Sequence, residues 1–148
     1  MELESVVAAV KEAGALALRR DFTVEQKDGV ENIVTSADRA VQAFLVGKLS
    51  ALLPGSGFYC EEDQLQESGQ EYIWVIDPID GTANFARGIP QYAISVALLH
   101  RDEPVLGVVF NPVDGHLFTA CKGQGARMDG NLILVSDRSS KMVCSVPH

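Results

Sequence analysis

The sequence lacks any apolar run near the roughly 18 residues needed to cross a bilayer, and it holds only three cysteines, three histidines and one tryptophan in 148 residues. Each shortage excludes something. Cys60, Cys121 and Cys144 are odd in number, far apart and never in a Cys-x-x-Cys pair, so neither a disulfide framework nor a zinc site is expected. His100, His116 and His148 are equally isolated, which argues for surface or structural roles over clustered metal ligands. Basic residues are also scarce, 12 against 20 acidic, for a net charge of −8. Without a basic patch, nucleic acid is not an expected partner. An anionic ligand would need positive charge from elsewhere, and bound metal ions are the obvious source. The start, Met1-Glu2-Leu3-Glu4, carries acids where a leader peptide has basic residues. These features together predict a cytoplasmic protein with reduced thiols and no membrane partner.

What is present reads as one domain. Leu3, Val6, Val7, Val10, Gly14 and Ala17 recur at helical spacing, predicting a helix over about 2–20. Phe22 to Gln26 can form a short strand ahead of the polar loop 27–32. Thr35-Ser36-Ala37-Asp38, an acid three residues after a hydroxyl, predicts a capped helix start. That helix presents Val41, Phe44, Leu45, Leu49 and Leu52, and stops at Pro54-Gly55. Strands are then expected at 57–60 and 72–76, the latter a continuous apolar run read as central and buried on both faces. Further strands at 92–99, 105–110 and 116–120 are separated by turn sequences, and a last hairpin spans 124–135. The expected fold class is α+β, a two-layer sandwich of helices on a mainly antiparallel sheet.

The chemistry concentrates in Ile76-Asp77-Pro78-Ile79-Asp80-Gly81-Thr82. A buried strand delivers Asp77 to the sheet's edge, and Pro78 is expected to stop the ladder and force a turn. Asp77 and Asp80 can then face a common centre, joined by the Ile79 carbonyl; such hard oxygen ligands suit Mg2+, Mn2+ or Ca2+. Gly81 permits close backbone approach, and Thr82-Ala83-Asn84-Phe85 can open a short helix whose N–H groups face an anion. Phosphate beside metal-held carboxylates is the layout of two-metal phosphoryl transfer. Glu61-Glu62-Asp63, which alone would be a solvated turn, ends another strand and can bring its acids to the same edge. Aspartyl-nucleophile phosphatases use Asp-x-Asp; the spacing here is i and i+3 with Pro78 between, which suits metal ligation instead.

The string Trp74-Val75-Ile76-Asp77-Pro78-Ile79-Asp80-Gly81-Thr82-Ala83-Asn84-Phe85 closely resembles the signature of the inositol monophosphatase family. Lys27, Val34-Thr35-Ser36-Ala37-Asp38, Glu61-Glu62, Gly88-Ile89-Pro90, Ala93-Ile94-Ser95-Val96-Ala97 and Lys122-Gly123-Gln124-Gly125-Ala126 extend the resemblance over essentially the whole chain. The resemblance implies a Mg2+-dependent phosphomonoesterase, with Mn2+ a substitute, held by Glu61, Asp77, the Ile79 carbonyl and Asp80. It implies that Thr82 and Asp38 orient and deprotonate the metal-bound water, that Glu62 is a nearby second acid, and that Lys27 is a basic residue beside the site. Gly81 and Thr82 match the backbone that holds phosphate, with Glu61, Ile79 and Asp80 around the substrate. The implied mechanism is direct attack by water without a phosphoenzyme. Inositol monophosphate or a related sugar phosphate is the implied substrate, with fructose-1,6-bisphosphate and 3′-phosphoadenosine phosphates as runners-up, and a homodimer is compatible with it. A catalytically incomplete metal- and phosphate-binding or regulatory module is the competing expectation.

Two positions depart from the family pattern. Cys60 stands where a small residue such as Gly or Thr is usual, and reads as a small buried thiol. The family's Trp-Asp-x-Ala-Ala-Gly motif, carried on a second, carboxy-terminal domain, is missing, since Trp74 is the only tryptophan. The chain is thus expected to be the amino-terminal domain alone, with weak turnover by itself.

Overall fold

The computed structural model describes residues 3–26, 33–62 and 69–136. Helix α1 (Leu3–Ala17) and helix α2 (Ser36–Leu52) pack together on one face of a seven-stranded sheet. Their apolar stripes explain why: Val6, Val10 and Ala13 on α1, and Val41, Leu45 and Leu49 on α2, are fully buried. The start of α2 is the predicted capping box, with the Thr35 side chain accepting from the Asp38 N–H and the Asp38 side chain accepting from the Thr35 N–H. Gly14 lets α1 approach the sheet closely, since a Cβ there would meet the Phe110 ring at 2.7 Å.

A small antiparallel pair, β1 (Val24–Gln26) and β2 (Ile33–Thr35), lies ahead of α2. The main sheet runs β3 (Gly57–Cys60), β4 (Tyr72–Asp80), β5 (Ala93–His100), β6 (Glu103–Phe110), β7 (Leu117–Cys121), β8 (Gly125–Met128) and β9 (Asn131–Ile133), each beside the next. Every pair is antiparallel except β3 with β4, which is parallel. A short helix, α3 (Thr82–Arg87), connects β4 to β5. The α+β class is as expected, as is the order of the main-sheet strands, whereas β2 is a strand where a polar loop leading directly into α2 was expected.

Two local expectations need correction. Strand β4 does not end at Asp77: the ladder skips Pro78 and Ile79 as an irregularity and resumes where Asp80 faces Ala93. The proline removes one donor and the chain kinks around it rather than leaving the sheet. Nor is β4 buried on both faces. Trp74 and Ile76 point into the helix-covered core, whereas Ile73 and Val75 are half-buried. The face away from α1 and α2 is uncovered among the described residues, leaving Val109 and Phe118 exposed. Leu134 and Val135, expected in the last hairpin, follow β9 and are almost fully exposed.

Candidate functional site: a carboxylate cluster at one sheet edge

The parallel pairing of β3 and β4 assembles the acids. Cys60 lies opposite Ile76, and the Glu61 N–H donates to the Ile76 carbonyl at 3.2 Å, so Glu61, just past the end of β3, comes to lie beside Asp77 of β4. Glu61 is exposed, while Glu62 is 3% exposed. Gln42 fixes this turn: its Nε2 donates to the Glu62 carbonyl at 2.9 Å and its Oε1 accepts the Glu62 N–H at 3.0 Å. Sequence reasoning missed Gln42. The available signal was a polar residue next to Val41 and three before Leu45, at the margin of the apolar stripe of α2. Cys60 is buried, as read. Lys27 and Asp63 lie outside the described residues.

Asp38, 1% exposed, is completely engaged. Its Oδ2 accepts the Thr35 N–H at 2.8 Å and the Thr35 hydroxyl at 2.5 Å. Its Oδ1 accepts the Thr82 hydroxyl at 3.0 Å, bridging 44 residues. The Thr82 hydroxyl also lies 2.9 Å from the Ile79 carbonyl, and one hydroxyl proton cannot serve both acceptors fully. The Ile79 carbonyl, expected to face a metal, thus already has one lone pair directed at Thr82. Thr82 is the first residue of α3, whose N-cap Gly81 has φ +93°, a left-handed conformation. A Cβ on Gly81 would sit 3.0 Å from the Gln91 carbonyl, so the tight turn favours glycine and strains any other residue.

Asp77 contrasts with Asp38. Burial first, then a hydrogen bond to Glu61 and its charge, with Asp80 and Asp38 adding repulsion, pushes the Asp77 carboxyl up to about 8. Its Oδ1 is buried with no hydrogen-bond partner, one of two such side-chain atoms among the described residues; Trp74 Nε1 is the other. Among the described residues, no three acids, histidines or cysteines stand close enough to form a ready-made metal cluster. The donor set nonetheless fits a divalent cation. It offers hard oxygens only, an orphaned buried oxygen, and adjacent carboxyls that repel one another unless a proton or a cation intervenes. Beside Asp80 and Gly81 a cavity of about 740 Å³ opens, bordered by Asn84, Arg87, Asn111 and Phe118. No helix among the described residues is long and apolar enough to cross a membrane.

Comparison with known proteins extends over the same residues. The model of the inositol monophosphatase family matches residues 2–147. Inositol monophosphatase 2 of Solanum lycopersicum is 36% identical over 146 residues, covering 93% of this chain and 54% of that protein. A protein named Nus factor SuhB from Pseudomonas aeruginosa is likewise 36% identical over 146 residues, with the same coverage of 93% and 54%. A crystal structure of an IMPase/NADP phosphatase complexed with Mg2+ and phosphate superposes with a TM-score of 0.75 at 25% identity, covering 86% of this chain and 50% of that one. The chain therefore spans about half the length of the curated relatives it matches.

Proposed function

Because the chain belongs to the inositol monophosphatase family, we propose that it carries the metal- and phosphate-binding half of a phosphomonoesterase acting on inositol monophosphate or a related small phosphate ester. The observation that supports this most is the Thr82 hydroxyl held 3.0 Å from a fully engaged Asp38, next to carboxyls that need a cation. Glu61, Asp77 and Asp80, with the free lone pair of the Ile79 carbonyl, would hold Mg2+, for which Mn2+ can substitute. When bound, such a cation supplies positive charge to the phosphoryl oxygens and lowers the cost of forming a hydroxide-like nucleophile.

The chain's own residues would handle the proton. Asp38 cannot rotate, because Thr35 pins Oδ2 through two donors. Its Oδ1 therefore stays directed at Thr82. A water beside Thr82 can donate to the hydroxyl oxygen while the hydroxyl passes its own proton to Asp38; the water oxygen then bonds to phosphorus as the ester P–O bond breaks, and the departing alkoxide takes a proton from solvent. Glu62 adds a second buried acid behind the cluster, and Gln42 holds its backbone in place. The backbone at Gly81 and Thr82 would receive the phosphate, and Lys27 would contribute a basic group nearby. The wall that selects the sugar or inositol ring would come from the half of the relatives that this chain does not match.

A second reading is a metal- and phosphate-binding module that turns over slowly or not at all, favoured by the coverage of only about half of each relative. Phosphate release from inositol-1-phosphate with Mg2+ separates the two. Release by the purified chain that Asp80→Asn abolishes supports the hydrolase. Mg2+ binding without release supports the module, and neither binding nor release contradicts both.

A further inference from the structure

We propose that Arg20, at the end of α1, is a positioning residue that holds α3 and thereby keeps the Thr82 hydroxyl between Asp38 and the Ile79 carbonyl. Helix α1 closes with the Leu18 N–H on Gly14, the Arg19 N–H on Leu16 and the Arg20 N–H on Ala17. Arg20 itself has φ +53°, a left-handed conformation that is uncommon for a non-glycine residue. The side chain reaches across the fold. Its Nη2 donates to the Phe85 carbonyl at 3.0 Å, 65 residues away. The guanidinium centre lies 5.4 Å from the Phe22 ring and 5.1 Å from the Phe85 ring, close enough for cation–π contact with both. Those two rings are themselves 4.7 Å apart, and Phe85 meets Tyr92 edge to face at 5.1 Å.

Helix α3 needs such an anchor. It has six residues, too few to stand alone as a helix in water. The Phe85 N–H closes its first turn onto Gly81, and the Phe85 carbonyl, which also accepts from the Gly88 N–H, is where Arg20 attaches. A cation there also complements the negative end of the helix. Thr82 is three residues away, about 4.5 Å along the axis, so a tilt at Phe85 is transmitted to the hydroxyl. Thr82 has little tolerance, since its two acceptors lie at 3.0 and 2.9 Å. Arg20 is exposed, so replacing it removes the anchor without opening the core.

The inference that Arg20 serves catalysis rests on the phosphatase reading; the inference that it holds α3 does not, and the test separates them. Amide exchange in Arg20→Ala should rise about tenfold or more at Phe85 and Gly88 while β5 and β6 keep wild-type protection, as expected for a local opening. Arg20→Lys, which keeps the charge but loses the planar fork, should fall between. With substrate and Mg2+, kcat should drop about 10- to 100-fold with KM changed less than about threefold, as a displaced group acts on the transition state more than on binding. Unchanged α3 exchange, or exchange raised equally throughout the sheet, overturns the proposal. If Arg20→Ala does not fold, Arg20→Lys decides by the same criterion. A wild-type chain without turnover overturns the phosphatase reading alone, because the exchange measurement still decides whether Arg20 anchors α3.

Discussion

Asp38 and Asp77 are acids of one site, yet the fold treats them oppositely. Asp38 receives three donors within the protein and needs nothing further. Asp77 keeps one buried oxygen without a partner among the described residues and holds its proton up to about pH 8, with burial and neighbouring acids as the cause. The first arrangement is completed by folding, and the second would be completed by a cation. Folding thus satisfies Asp38 by itself, while Asp77 is left under repulsion that a proton or a bound cation would relieve.

The sharpest way to break this comparison is to neutralise each acid in turn. Asp38→Asn should lower turnover by about 10²- to 10⁴-fold, as loss of a general base does. It should also cost about 1–3 kcal/mol in denaturant unfolding, because donors that faced a carboxylate now meet an amide. Asp77→Asn should do the reverse in the absence of metal. Repulsion with Glu61 and Asp80 disappears, so the metal-free variant should be more stable than the wild type at pH 8, while Mg2+ affinity falls. Gly81→Ala is next in size: it forces a left-handed alanine against the Gln91 carbonyl, which should cost about 1–2 kcal/mol in stability and misplace Thr82.

The pH dependence has a definite sign. The Asp77 carboxyl sits near 3.9 in an unfolded chain and at about 8 when folded. Its contribution to stability is thus complete below about pH 4 and is lost as pH rises through the folded value near 8. The metal-free melting temperature should fall between pH 5 and 8, and saturating Mg2+ should flatten that slope.

Much of the candidate site's geometry was legible because it is local in sequence. Thr35 to Asp38 is a capping box whatever surrounds it, and Asp77 to Thr82 carries its turn residues and candidate ligands in six consecutive positions. The approach of Glu61 to Asp77 was expected from two strands ending at one edge; in the structure it comes instead from the parallel pairing of β3 with a β4 that continues past Asp77. Gln42 was missed because its partners are backbone atoms 20 residues away, which no spacing rule encodes. The apolar run 72–76 was over-read for a related reason. Side-chain polarity records what a strand can bury, not whether something covers both faces, and Ile73 and Val75 face the uncovered side. Arg20 escaped as well, since an arginine at a helix end reads as a dipole partner of α1 rather than an anchor for α3.

The most direct test of the contrast between the two acids is thermal unfolding of the wild type, Asp77→Asn and Asp38→Asn, each with and without Mg2+ at pH 8. Mg2+ should stabilise the wild type and Asp38→Asn, Asp77→Asn should gain little from it, and metal-free Asp77→Asn should melt above the metal-free wild type. An Asp77→Asn variant that melts below the wild type without metal, or that keeps the full Mg2+ shift, would contradict that contrast.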